Sequence, residues 1–176
     1  MNRLGIDIGR VIINSPPGQD TAFFGGSPEA ALHTPAVPGA FESIPRLVDL
    51  FNGQAWLISK CGPRIQQRSL AWLHHHNFFT HTGIPEANVR FCLRRPDKAI
   101  HCADLSITHF IDDKPDVHAA LDGLVPHRYL FGPQKAIPHD LTHTPTWPSA
   151  ETAIRHRPRS SGNGAPIPPA VGSPHG

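Results

Sequence analysis

The chain has 176 residues, 39% of them hydrophobic, which is enough for one modest hydrophobic core. Its formal net charge of +2 argues against a nucleic-acid partner. Three cysteines without a closely spaced pair predict neither a disulfide framework nor a zinc knuckle. Together with an amino terminus that lacks a signal-peptide pattern, and the absence of an apolar run near the ~18 residues of a membrane span, they favour a cytoplasmic protein.

Short apolar or β-branched segments alternate with helical patterns over residues 1–138. The predicted strands are residues 4–8, 55–58, 89–93, 108–111 and 127–131. The predicted helices are residues 41–51, which Pro45 must open late or kink, then 63–77, 97–105 and 115–121. This alternation predicts a Rossmann-like three-layer α/β sandwich around a mostly parallel five-stranded sheet.

Two further segments lack this alternation. Residues 14–39 form a long loop of turn-forming residues, which includes Phe23, Phe24 and a possible short helix at Pro28–Leu32. It is either a lid over a ligand site beside Asp7, equivalent to a minimal cap, or an ordinary surface loop whose phenylalanines pack on the core. Residues 139–176, rich in Pro, Ser and Gly toward the end, are predicted to form a disordered tail.

Aspartates stand at the ends of two predicted strands. Asp7 lies at the end of the first strand, and Asp112 and Asp113 follow the fourth. The carboxyl ends of parallel strands share one edge of a sheet, where ligands bind in open α/β folds. The three carboxylates are therefore expected to meet there.

Four motifs in chain order resemble those of the haloacid dehalogenase (HAD) superfamily. They are Gly5-Ile6-Asp7-Ile8-Gly9-Arg10-Val11-Ile12, Trp56-Leu57-Ile58-Ser59-Lys60, Lys98, and Phe110-Ile111-Asp112-Asp113-Lys114. The segment Val37-Pro38-Gly39-Ala40-Phe41 resembles the start of that family's first core helix. The resemblance covers about residues 1–131 and implies a HAD-like domain over residues 1–138, with a small or absent cap.

The resemblance also implies a role for each matched residue. Asp7 is expected to attack phosphorus and form an aspartyl-phosphate. Ser59 and Lys60 are expected to bind the phosphoryl group, and Lys98 to neutralise it and the nucleophile. Arg94 and Arg95 are rivals to Lys98 because they lie close to it in the sequence.

A Mg²⁺ ion is the cofactor that the resemblance implies. Asp7, Asp112 and Asp113 offer hard oxygen ligands, and the backbone carbonyl of Gly9 is a further ligand in the family pattern. Without the ion, three clustered carboxylates raise one another's pKa values.

Gly9 departs from the family pattern, because family phosphatases carry there a second aspartate that protonates the leaving oxygen. Its loss has three explanations. In the first, Arg10, His33 or Asp20 substitutes for the missing aspartate, or the leaving group needs no proton. In the second, the chemistry differs, as in relatives that cleave carbon–phosphorus or carbon–halogen bonds. In the third, the protein has stopped catalysing and only binds its ligand.

The sequence thus predicts a magnesium-dependent phosphatase that acts through Asp7 on a small phosphorylated metabolite or nucleotide. The alternative is a catalytically impaired pseudo-phosphatase that binds a phosphorylated ligand or protein partner.

Overall fold

Six parallel strands form one sheet at the centre of the protein. The structure is a computed structural model and describes residues 1–14 and 26–156. The strands are β1 (Leu4–Ile6), β2 (Ala55–Lys60), β3 (Val89–Cys92), β4 (His109–Asp112), β5 (His127–Phe131) and β6 (Thr142–Thr144). Their order across the sheet is β3-β2-β1-β4-β5-β6, and every neighbouring pair is parallel. The first strand therefore lies in the middle of the sheet.

Helices cover both faces of the sheet, which confirms the predicted three-layer α/β sandwich. They are α1 (Pro28–Leu32), α2 (Ala40–Leu50), α3 (Pro63–His75), α4 (Phe78–Thr82), α5 (Lys98–Asp104), α6 (Pro115–Ala120) and α7 (Trp147–Arg155). Alternate residues of a strand point to opposite faces. Leu57 accordingly joins the core under α2, α3 and α7, whereas its neighbour Ile58 joins the core under α5 and α6.

Helix α2 continues through Pro45 without stopping. Proline has no N–H, so the carbonyl four residues earlier, that of Phe41, loses its intrahelical donor. The ring of His81 supplies one, because its Nε2 lies 2.7 Å from the Phe41 carbonyl oxygen and a carbonyl can only accept. A side chain from α4 therefore compensates for the missing backbone bond.

Close packing in the sheet explains the glycine of β1. A Cβ on Gly5 would lie 2.5 Å from the ring of Phe110, which belongs to the neighbouring strand β4. Only glycine lets this aromatic ring lie against β1, two residues before Asp7.

The carboxyl-terminal region differs from the sequence prediction. Residues 142–155 are not a disordered tail, because they contain β6, which extends the sheet from five strands to six, and α7. Trp147, Ala150 and Ile154 are buried along one face of α7, and the indole Nε1 of Trp147 donates to the carbonyl of Val11 at 2.7 Å. The three-residue strand is too short to show a periodicity, which is why the sequence did not reveal it.

Parts of the two irregular segments lie outside the described residues. These parts are residues 15–25, including Asp20, Phe23 and Phe24, and residues 157–176. The expected short helix at Pro28–Leu32 is present, with Ser27 as its N-cap. Over residues 1–14 and 26–156, no helix is long and apolar enough to cross a membrane.

Candidate active site

The three predicted carboxylates meet at the carboxyl edge of the sheet. Ile6 is paired with Ile111 across β1 and β4, so Asp7 and Asp112 follow at the same height on neighbouring strands. The backbone N–H of Asp7 donates to the carbonyl of Ile111 at 3.0 Å, which extends this pairing. One carboxylate oxygen from each of Asp7, Asp112 and Asp113 lies within 4.8 Å of the others. The expectation of a shared acidic site is met.

Lys98 lies between two of these carboxylates. Its Nζ is 2.9 Å from Oδ1 of Asp7 and 2.6 Å from Oδ2 of Asp112, and its side chain is only 2% exposed. Lys98 is the first residue of α5, so the amino end of that helix brings the ammonium group under the sheet edge. The rival arginines form ion pairs outside the acidic cluster: Arg94 pairs with Asp97 at 2.8 Å, and Arg95, which also lines the adjoining pocket, pairs with Asp116 at 3.0 Å.

Burial and mutual repulsion shift the pKa values of these groups. Burial, followed by the charge of Asp112, raises the pKa of Asp7 to about 6, although Lys98 opposes both effects. Burial also raises the pKa of Asp112 and of Asp113. Burial disfavours the ammonium form of Lys98, but the charges of Asp7 and Asp112 outweigh it and hold the pKa of Lys98 above its usual value.

The three aspartates do not have equal access to a ligand. Asp7 and Asp113 line a pocket of about 450 Å³, whereas Asp112 is fully buried and is not part of its lining. Both carboxylate oxygens of Asp112 already have donors, since Oδ2 faces Lys98 and Oδ1 accepts from the backbone N–H of Lys114 at 2.9 Å. As the residues stand, Asp7 and Asp113 present their carboxylates to the pocket, and Asp112 orients Lys98.

Two residues that the sequence analysis did not single out fix the backbone of the acidic pair. The side-chain N–H of Gln134 donates to the carbonyl of Asp113 at 2.9 Å and also to that of Phe131. His118 Nε2 lies 3.0 Å from the carbonyl of Asp112. Gln134 is 21 residues from its partner, in the loop after β5, so no local pattern in the sequence points to it.

The remaining predicted site residues also reach this pocket. Ser59, 7% exposed, lines it together with the exposed Lys60, because both lie at the carboxyl end of β2. Gly9 lines it as well, and a Cβ built on Gly9 meets no atom of residues 1–14 and 26–156 within 4 Å. The described residues therefore leave room beside Gly9, and its backbone does not have the positive φ that would strain a side chain there.

The suggested substitutes for the missing acid have different positions. Arg10 lines the pocket. His33 does not line it; its ring packs edge-on against His75, with the centroids 5.8 Å apart. Asp20 is outside the described residues. Cys61 also lines the pocket, but burial raises the pKa of its thiol to about 12, which makes it a poor thiolate nucleophile.

The chemistry of these ligand atoms fits a hard divalent cation. Carboxylate oxygens are preferred by Mg²⁺, and the two carboxylates that face the pocket leave room for water and phosphate oxygens. Two cations, Lys98 and Lys114, lie within ion-pair distance of the three carboxylates, and the charge of Arg10 also acts on Asp113. A divalent ion bound by these oxygens would lower the mutual repulsion that, together with burial, raises the carboxylate pKa values.

Comparison with known proteins supports the fold. No family model matches the sequence, and no curated protein matches it. The chain is similar to a solved structure described as a HAD-superfamily hydrolase from Ehrlichia chaffeensis. The TM-score is 0.59 at 12% sequence identity, over 88% of this chain and 98% of that one. The chain therefore shares the Rossmann-like α/β fold of that structure, as the sequence analysis predicts.

Proposed function

We propose that the protein is a HAD-type hydrolase, a magnesium-dependent phosphatase of a small phosphorylated metabolite or nucleotide. The observation that carries the proposal is the convergence of Asp7, Ser59, Lys98 and Asp113 on one pocket from four separate segments of the chain. If each of these four residues had only a structural role, the position of a buried lysine between two carboxylates at the bottom of an open pocket would have no explanation.

Asp7 is the proposed nucleophile. Its Oδ2 is the oxygen left for attack, because Oδ1 accepts from the backbone N–H of Ile8 at 2.8 Å and faces Lys98. In the first step an oxygen–phosphorus bond forms to Asp7, and the bond from phosphorus to the leaving oxygen breaks with its electron pair. In the second step water attacks phosphorus and releases Asp7 and phosphate.

The other residues support these steps electrostatically. Lys98 holds the Asp7 carboxylate in position and offsets its charge as the anionic phosphoryl group approaches. Ser59 is proposed to donate a hydrogen bond to a phosphoryl oxygen. Asp7 and Asp113, with the carbonyl of Gly9, would hold Mg²⁺, which when bound neutralises phosphoryl oxygens.

Gly9 favours a second candidate function, a pseudo-phosphatase that binds a phosphorylated ligand or protein partner. Glycine has no side chain, so residue 9 cannot protonate a leaving oxygen, and among residues 1–14 and 26–156 no atom takes the place of the missing side chain within 4 Å of the Cβ position. General acid or base help is worth about 10² to 10⁴ in rate. A pocket that keeps its charged residues but lacks a general acid or base would bind a phosphorylated ligand better than it would hydrolyse it.

Steady-state turnover separates the two functions. Wild type, Asp7→Asn and the matched control Asp104→Asn, on an exposed helix end, are assayed with Mg²⁺ on p-nitrophenyl phosphate and a nucleotide panel. Turnover that Asp7→Asn abolishes and Asp104→Asn retains supports the phosphatase. Absent turnover, with calorimetry showing magnesium-dependent binding of inorganic phosphate, supports the binding protein. Neither turnover nor binding contradicts both.

A further inference from the structure

The loop after β5 contacts the backbone of the acidic pair. It contains the half-buried Gln134, whose side-chain Nε2 lies 2.9 Å from the carbonyl oxygen of Asp113 and 2.9 Å from that of Phe131. A carbonyl oxygen can only accept, and the amide nitrogen of glutamine carries two donors. One amide group therefore joins the backbone of Asp113 to the end of β5 through two hydrogen bonds.

Strand β6 holds this loop from its other side. Gly132 has a φ of 76°, in the left-handed region that glycine adopts without strain. Its N–H donates to the carbonyl of Thr144 at 3.1 Å, and its own carbonyl oxygen accepts from Nε2 of His143 at 2.8 Å. Gln134 follows two residues later, so the side chain that contacts Asp113 extends from a loop that is fixed to the sheet.

The peptide group between Asp113 and Lys114 is held at both of its polar atoms. Its N–H, that of Lys114, donates to Oδ1 of Asp112 at 2.9 Å, and its carbonyl oxygen, that of Asp113, accepts from Gln134. Asp112 is held in turn, because its own carbonyl accepts from Nε2 of His118 at 3.0 Å. Loss of the Gln134 amide would leave the peptide group after Asp113 held at one atom instead of two.

The orientation of this peptide group affects the carboxylate of Asp113. Both groups are attached to the Cα of Asp113, so a change in its backbone dihedrals moves the carboxylate relative to that of Asp7, which has an oxygen within 4.8 Å of it. Mg²⁺ requires near-ideal octahedral geometry, with oxygens at about 2.0–2.1 Å, and tolerates little displacement of a ligand. Hydrogen bonds that orient metal ligands typically change the affinity for the metal by about 10- to 100-fold.

We propose that Gln134 is a positioning residue for the divalent-cation site. Its hydrogen bond to the Asp113 carbonyl keeps the carboxylate of Asp113 directed at the pocket, where it and Asp7 bind the ion. This inference rests on the proposed function, since it assumes that these two carboxylates bind Mg²⁺. It adds to that function a residue outside the four HAD-like motifs, and it makes the loop between β5 and β6 part of the metal site.

Substitution of Gln134 tests the inference through metal binding alone. Gln134→Met has nearly the same size but no donor, and Gln134→Ala removes the donor without adding an apolar chain. The affinity of each variant for Mg²⁺ is measured by calorimetry without a phosphorylated ligand, and urea unfolding without Mg²⁺ verifies that each variant is folded. Both variants are expected to bind Mg²⁺ about tenfold more weakly than wild type.

Gln66→Met is the matched control, because it removes the same kind of hydrogen bond beside the same pocket. Gln66 is also half-buried, and its Nε2 donates to the carbonyl of Cys61 at 3.0 Å. Cys61 lines the pocket but supplies none of the oxygen ligands proposed for Mg²⁺. Gln66→Met is therefore expected to retain the wild-type affinity for Mg²⁺, whereas a general loosening of the fold would weaken binding in all three variants.

The contrary outcomes separate the inference from the proposed function. Wild-type affinity in both Gln134 variants overturns the positioning role and leaves the proposed function standing. A loss confined to Gln134→Met, or an equal loss in Gln66→Met, also overturns that role. Gln134 variants that are unfolded without Mg²⁺ overturn it as well, because the residue would then act on the stability of the whole fold. No binding of Mg²⁺ by wild type contradicts the metal site of the proposed function itself.

Discussion

Gly9→Asp is expected to increase phosphatase activity. The new side chain should fit, because no atom of the described residues lies within 4 Å of a Cβ at this position and the backbone there is not left-handed. Its carboxylate would enter the pocket where the leaving oxygen departs. A positioned general acid contributes about 10² to 10⁴ in rate, equivalent to about 3–5 kcal/mol of activation free energy.

The same substitution has an electrostatic cost. It adds a fourth carboxylate to a cluster whose oxygens already lie within 4.8 Å of one another. Two like charges about 5 Å apart repel by about 3 kcal/mol at an effective dielectric constant of 20. The variant is therefore expected to be less stable than wild type without Mg²⁺, and to show its rate gain only with Mg²⁺.

The leaving group makes the assay selective. An alkyl phosphate has a basic leaving oxygen that needs a proton, whereas p-nitrophenol leaves readily as an anion. The kcat of Gly9→Asp should rise far more on the alkyl phosphate than on p-nitrophenyl phosphate. Gly9→Asn is the control, since it has nearly the same shape but cannot transfer a proton. Equal gains for Asp and Asn, or no gain on the alkyl ester by a folded variant that binds Mg²⁺, would refute the reasoning.

Three further predictions concern stability. Lys98→Met leaves two buried carboxylates without their cation, so urea unfolding at pH 7 should show a free energy of unfolding that is lower by about 3–5 kcal/mol. A variant as stable as wild type would contradict the ion-pair geometry. Trp147→Ala removes a fully buried indole and its hydrogen bond, and should also lower the free energy of unfolding by about 3–5 kcal/mol. An unchanged urea midpoint would mean that α7 does not pack on the core. Hydrogen bonds from Arg46 lower the pKa of Glu151 to about 2, so Glu151 stabilises the protein above pH 4.5 and ceases to do so as the pH falls through 2. Because Arg46 is 54% exposed, Glu151→Gln should cost only about 1 kcal/mol at pH 7 and nothing near pH 2, which unfolding curves at both pH values would check.

Local patterns in the sequence were sufficient for most of the fold. Strands β1 to β5 and the larger helices are each marked by apolar residues at a period of two or 3.6, which depends only on neighbouring residues. The carboxylate cluster was also predictable, since parallel strands place their carboxyl ends at one edge. Strand β6 and helix α7 were missed because prolines and polar residues surround them, and their burial depends on the finished sheet.

The roles within the cluster were decided by tertiary structure. The sequence made Asp112 and Asp113 equivalent and left Lys98 in competition with two arginines. Strand pleating then buries Asp112 against Lys98 and turns Asp113 toward the pocket, while each arginine finds an aspartate of its own. Which carboxylate pairs with Lys98 and which faces the pocket depends on distances between segments far apart in the chain. The type of a residue fixes its chemistry, but not which residues lie next to it in the folded protein. The amino-acid sequence by itself determined which groups are available, and the packing of the sheet determined which of them can meet a ligand.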